Sequence, residues 1–82
     1  MVIVKFDPVF EKTVKKIKDA SLKNKVKKQI INILKNPDIG KPMRFTRKGT
    51  REVYIPLFRL SYLYLKDKNV VLLLNLHHKD EQ

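Results

Sequence analysis

The stretch GTREVYIPLFRLSYLYLKDKNVVLLLNLHH, residues 49–78, decides the fold. Its apolar and polar residues alternate at period two instead of recurring every three or four positions, which is the pattern of strands. Residues 50–55 read as one strand, interrupted by Pro56, and residues 58–65 as the next. Lys66-Asp67-Lys68-Asn69 supplies a hairpin turn, and residues 70–76 form a nearly continuous apolar run. Such a run is expected of a mid-sheet strand buried on both faces. Along residues 58–65, alternation sends Phe58, Leu60, Tyr62 and Tyr64 to one face and Arg59, Ser61, Leu63 and Leu65 to the other.

Working outward, residues 43–47 read as a possible further strand ending in a Lys48-Gly49 turn, with IGKP, residues 39–42, as a loop before it. Upstream the period becomes helical. Asp7-Pro8 starts a helix, Asp7 as its N-cap and Pro8 at the first helical position. Phe10, Val14 and Ile17 recur at spacings of four and three, giving one apolar face. The chain turns near Asp19-Ala20-Ser21. A second helix carries Leu22, Val26, Ile30, Ile33 and Leu34 in a stripe and stops at Asn36-Pro37, because proline disfavours the helical conformation in the residue before it. Val2, Ile3, Val4 and Phe6 make a short first strand. The order is strand, αα-hairpin, then an antiparallel sheet of three to four strands. This is an α+β domain with helices packed on one sheet face, filling residues 1–82. Phe10, Phe45 and Phe58 are expected in its core.

At 82 residues the chain holds one small core and leaves little room for a deep pocket, so a surface groove is the expected working site. Without cysteine it has no disulfide framework, no Cys-based zinc site and no thiol nucleophile. The opening MVIVKF is too short for a secretory leader. No run approaches the roughly 18 apolar residues of a membrane span. A cytoplasmic protein is expected. Nineteen Lys and Arg against eight Asp and Glu give a formal charge of +11. A field of that size draws polyanions and speeds their encounter. A solvated lysine surface accounts for part of the excess, but the four arginines all fall between positions 44 and 59.

These cations gather on the strands. Arg59 begins its strand at the sheet rim, and is expected near Arg51, which begins the preceding one. His77, His78 and Lys79 leave the last strand, whose end lies beside the start of Arg59's strand if the two pair antiparallel. A sheet face rimmed this way suits a phosphodiester, since Arg offers a planar fork to phosphate and His moves protons near neutral pH. The bland alternatives are specific. Arg59 could pair with Glu52 or a C-terminal carboxylate to hold the rim, and His77-His78 could be an exposed strand end. Adjacent residues point oppositely, so only one histidine is expected to face the site. Asp80 and Glu81 add too little for a metal centre. Arg44, Arg47 and Lys48 read either as a solvated hairpin or, with Lys41, as contacts to RNA phosphates. The two glycines, Gly40 and Gly49, lie in no phosphate-loop spacing.

The segments GTREVYIPLFRLSYLY (49–64), LLNLHHKDEQ (73–82) and NPDIGKPMRF (36–45) resemble the RelE/ParE toxin pattern over nearly the whole chain. The most specific piece is Phe58-Arg59-Leu60-x-Tyr62. The resemblance implies a type II toxin, often a ribosome-dependent endoribonuclease that cuts mRNA without a metal or other cofactor. The ribose 2′-hydroxyl attacks the adjacent phosphate, so such an enzyme orients it, takes its proton, stabilises the added charge and protonates the leaving oxygen. Arg59 matches the family arginine that stabilises the phosphate, Lys79 the basic residue of the C-terminal motif, and Arg51 a basic position on the preceding strand. His77 or His78 is a candidate acid or base, and Glu52 a candidate base. The sequence departs from the family in two places. It lacks the terminal Tyr that stacks on the substrate base in several members, leaving Tyr54, Tyr62 or Tyr64 as substitutes, and Met43 stands where one branch has a carboxylate. The implied partners are an acidic RelB-like antitoxin, the ribosome and mRNA. A ParE-type gyrase inhibitor, or a degenerate toxin that only binds antitoxin or RNA, fits the same strand pattern.

Overall fold

A computed structural model describes residues 2–44 and 46–80. Its elements are β1 (Ile3–Phe6), α1 (Pro8–Lys15), α2 (Ala20–Lys35), β2 (Lys41–Pro42), β3 (Thr50–Ile55), β4 (Phe58–Leu65) and β5 (Val70–His78). The strands form one five-stranded sheet in the order β1-β5-β4-β3-β2. β1 runs parallel to β5, and every other neighbour is antiparallel. The fold is therefore α+β with two helices over one sheet face, and the first strand joins the sheet beside the last.

Both helices begin where the sequence caps them. Asp7 accepts from Val9 N at 2.8 Å with Pro8 at the first helical position, and Asp19 accepts from Ser21 N at 2.9 Å. The second helix thus starts inside the segment expected to be a turn, because Asp19 is its cap. Ile17 falls just beyond α1 yet still packs against the core. Phe10, Val26 and Ile33 from the helices meet Val53, Ile55, Leu60, Tyr62, Val71, Leu73 and Leu76 from the sheet. Phe58 packs against this cluster, whereas Phe45 lies outside the described residues.

Two strand expectations are corrected. The segment 43–47 is not a strand among its described residues; the pairing lies two residues earlier, in the expected loop, with Lys41 opposite Glu52 and Pro42 opposite Arg51. Proline is tolerated there because β2 is an edge strand whose outer side needs no donor. β5 runs two residues past the apolar stretch and is buried on one face only: Val71, Leu73 and Leu76 are buried while Leu72 and Leu74 are half-exposed. Its unbroken hydrophobicity reflects central position between β1 and β4, not a second covering layer.

β4 and β5 pair with a bulge. Ser61 faces Asn75, but Tyr62 faces Leu73, so Leu74 is the extra residue. A bulge shifts the in-out alternation by one. The core face of β5 therefore changes from Val71 and Leu73 to Leu76, and residues 75 and 77 turn to the helix-free face. Asn75 Oδ1 accepts from Leu76 N at 2.9 Å, satisfying a backbone donor at the irregularity. The β3–β4 hairpin closes through Pro56 and Leu57. Leu57 has φ +70°, a left-handed conformation that costs a branched side chain about 1 kcal/mol or more. Its carbonyl accepts from Lys79 N at 3.0 Å, which ties the end of β5 to this hairpin.

Candidate functional site

The helix-free face carries polar residues of four strands, β2 to β5. In the hairpin, the start of β4 lies against the end of β3, so Arg59 faces Tyr54 on one side and His77 on the other. One register step of two further along, Ser61 faces Glu52 and Asn75, and Glu52 faces Lys41. A cavity of about 460 Å³ opens here, lined by Lys41, Pro42, Met43, Arg44, Glu52, Arg59 and His77. The antiparallel pairing of β4 with β5 brings Arg59 and His77 together as the sequence reading expected. The bulge then selects His77, not His78, for this face.

Arg59 Nη1 lies 3.3 Å from Glu52 Oε1. The pair is partly open to solvent, with side-chain exposures of 38% and 21%. Exposed pairs of this kind contribute little stability. The pairing orients the guanidinium without consuming it: Arg has five donors, and only this contact engages its tip among the described residues. His77 Nδ1 is buried and has no hydrogen-bond partner among the described residues. A buried, unmatched imidazole nitrogen costs free energy unless something supplies the missing bond. The His77 residue, opposite Arg59, contributes to the cavity wall.

Arg51 departs from the sequence reading. It faces Tyr62, not Arg59, because a hairpin sets the start of one strand against the end of its neighbour. It also lies on the helix-covered face. Its guanidinium donates to Gly40 O at 2.7 Å and Asp38 O at 3.1 Å, and sits 3.3 Å from Asp38 Oδ1. Beside it the fully buried Tyr62 donates its hydroxyl proton to Pro37 O at 2.7 Å and accepts from Gly40 N at 2.9 Å. Together they clamp residues 37–40, where a side chain at Gly40 would meet the Tyr62 hydroxyl at 2.6 Å. Burial pushes the Tyr62 phenol above its ordinary value, against the opposing effects of the Gly40 bond and the Arg51 charge. Arg51 is thus held by the carbonyls of residues 38 and 40 and by the Asp38 carboxylate, and the clamp delivers the chain to Lys41.

His78 lies edge-on to Phe58, ring centroids 5.2 Å apart, with Nδ1 3.6 Å from Asp80 Oδ2. Lys79 is exposed beyond β5 and is not part of the cavity lining. The basic loop divides: Lys41 and Arg44 line the cavity, Arg47 is exposed nearby in sequence, and Lys48 lines a separate recess. That recess, about 600 Å³, lies at the opposite end of β4 with Arg51, Lys66 and Lys68. It is larger and shares Pro42 and Met43 with that cavity, but includes none of Lys41, Arg44, Glu52, Arg59 or His77. Tyr62 and Tyr64 belong to the core side, leaving Tyr54 as the exposed tyrosine. Glu81 and Gln82 lie outside the described residues, and the described residues contain no cluster of three or more His, Asp or Glu able to hold a metal.

The family model for the ParE toxin of the type II toxin–antitoxin system parDE matches residues 4–82. The isolated RelE toxin of E. coli superposes with a TM-score of 0.84 at 18% identity, over 100% of this chain and 88% of that one. In the intact E. coli RelBE toxin–antitoxin complex the match has a TM-score of 0.83 at 21% identity, over 95% and 96% of the two chains. In the RelBE2 complex from Mycobacterium tuberculosis it has a TM-score of 0.80 at 21% identity, over 95% and 98%. At these identities the structural likeness speaks for the fold. No curated protein matches the sequence.

Proposed function

The chain belongs to the ParE toxin family of type II toxin–antitoxin systems, in the RelE/ParE superfamily, and on that premise we propose that it is a metal-independent, ribosome-dependent mRNA endonuclease. The observation that carries this reading is the cavity around which Arg59, His77, Glu52 and Lys41 are arranged on the helix-free face. Cleavage by 2′-hydroxyl attack needs a base, a cation for the phosphorane charge and an acid for the leaving 5′-oxygen. On this reading Arg59 turns from Glu52 to the phosphate. The freed Glu52 carboxylate takes the 2′-hydroxyl proton, and the 2′-oxygen bonds to phosphorus. His77, protonated, gives a proton to the 5′-oxygen as its bond to phosphorus breaks. The products are a 2′,3′-cyclic phosphate and a 5′-hydroxyl. Lys41 and Arg44 hold flanking phosphates, Arg47 and Lys48 reach ribosomal RNA, and Lys79 contacts the backbone outside the cavity.

The +11 charge supports two polyanionic encounters, with RNA and with an acidic antitoxin. Complexes of RelE-type toxins with their antitoxins from E. coli and M. tuberculosis support a RelB-like partner for this chain. A cytoplasmic site of action fits these partners, and no helix among the described residues is long and apolar enough to cross a membrane.

Primer extension on an mRNA translated with the purified toxin tests the reading. New 5′ ends inside the coding region are expected, and they should vanish with Arg59→Ala while the circular dichroism spectrum is unchanged. Intact mRNA with blocked supercoiling by DNA gyrase would instead establish gyrase inhibition, the alternative reading for a chain of this family. Intact mRNA and normal supercoiling together would leave a toxin that only binds its antitoxin or RNA.

A further inference from the structure

β5 has two ways to close against β4, and they differ in what they present beside Arg59. Up to Leu73 the strand is held from both sides, by β4 and by β1, whose pairing ends with Phe6 opposite Leu73. Continuing straight from Tyr62 opposite Leu73 would set Leu74 against Ser61, Asn75 against Leu60, Leu76 against Arg59 and His77 against Phe58. The strand instead skips Leu74. Asn75 then stands opposite Ser61, Leu76 opposite Leu60 and His77 opposite Arg59. A slip of one residue exchanges the two faces of a strand, so only the bulged register brings His77 to the cavity.

One side chain separates the two registers. Residues 72, 73, 74 and 76 are all leucine, so either register offers leucines to the core, and residue 75 alone differs. Leu60 and Leu76 are buried opposite each other, at 0% and 3% exposure. Closing straight would put the Asn75 amide in the place of Leu76, where a polar group without partners is costly. It would also turn Leu76 out beside the Arg59 guanidinium. In the bulged register Asn75 is half-buried on the open face, and its Oδ1 accepts from Leu76 N at 2.9 Å. The same side chain thus disfavours the straight register and satisfies a backbone donor of the bulged one.

We infer that Asn75 is a positioning residue: it holds the bulge that places His77 opposite Arg59, and without it β5 closes straight and presents Leu76 there. Its bearing on cleavage rests on the endonuclease reading of the cavity. The register does not.

NMR on the full chain reads the register from cross-strand contacts. Wild type and Asn75→Asp, which keeps the acceptor oxygen, should show Arg59 against His77. Asn75→Leu should show Arg59 against Leu76 and Phe58 against His77. Deleting Leu74 from Asn75→Leu removes the choice, because straight pairing then sets Leu76 against Leu60 and returns His77 to Arg59. Single-turnover cleavage on translating ribosomes should fall about 10²–10⁴-fold in Asn75→Leu, the range for losing a general acid, and recover when Leu74 is also deleted. Adding His77→Ala to Asn75→Leu should slow it no further. An Asn75→Leu chain that keeps His77 opposite Arg59 overturns the proposal. So does a chain carrying both changes whose His77 stays away from Arg59, and this second chain decides the matter if Asn75→Leu does not fold. A register that switches as stated, in a protein that leaves translated mRNA uncut, supports the positioning role and defeats the nuclease reading separately.

Discussion

Arg51 and Arg59 stand on neighbouring strands of one sheet, and the sheet puts them to opposite uses. Arg51 points to the helix-covered side, where its guanidinium meets two backbone carbonyls and the Asp38 carboxylate. Arg59 points to the bare side, where it meets one partly exposed carboxylate at the mouth of a cavity. The first is committed: any ligand drawing it away would leave the carbonyls of residues 38 and 40 without that donor. The second is exchangeable, because phosphate offers Arg59 more than Glu52 does, and Glu52 can be rehydrated or turned to other work. A charged residue's role follows from the face it occupies and from what already satisfies it.

The histidines offer the largest effect that could break this contrast. His77 shares the bare face with Arg59 and His78 does not, so His77→Ala should slow single-turnover cleavage on translating ribosomes by about 10²–10⁴-fold, the range for losing a general acid. His78→Ala should stay within a few-fold of wild type. The reverse result would put the bulge out of register and move the site to the other face. Arg51→Ala comes next. It should lower stability in guanidinium unfolding by about 1.5–3 kcal/mol, the scale of losing hydrogen bonds from a charged group. Its cleavage rate per folded molecule should fall far less than that of Arg59→Ala.

The smallest effect sharpens the covered side. Tyr62→Phe removes the hydroxyl bonded to Pro37 and Gly40 and should cost about 1–2 kcal/mol in the same unfolding measurement. It should also change the alkaline limb. The Tyr62 phenol is raised above its ordinary 10.0 in the folded chain, so the folded state holds this proton more tightly than the unfolded state. Its contribution is fully present below pH 10 and is lost as pH rises through the raised folded value. Wild-type stability should therefore fall more steeply above pH 10 than that of Tyr62→Phe. Parallel alkaline limbs would mean that the phenol is not shielded.

Much of the architecture was legible because local signals agreed with the fold. Period-two alternation located β3 and β4, Asp7-Pro8 opened α1, and Asn36-Pro37 closed α2. The faces of Phe58 to Leu65 also followed from alternation alone. The site was legible only in part. Arg59, Glu52 and Lys41 could be named from residue type, and hairpin geometry already contradicted the placing of Arg51 beside Arg59, since the two begin successive antiparallel strands. The bulge could not be read from alternation, because an apolar run such as residues 70–74 looks the same in either register. Asn75, a lone polar residue inside that strand, is the local signal, and here its side chain caps the irregular backbone. β2 was missed because two residues hold no period, and their strand character comes wholly from pairing with Arg51 and Glu52.

Chemical-shift mapping on the labelled protein is the most direct test of which face receives the polynucleotide. Titration with a 2′-O-methylated RNA should perturb Lys41, Glu52, Arg59 and the His77 ring, while leaving Arg51, Lys66 and Lys68 at the far end of β4 unmoved. Perturbation centred on Arg51, Lys48, Lys66 and Lys68, with His77 and Arg59 silent, would contradict the account.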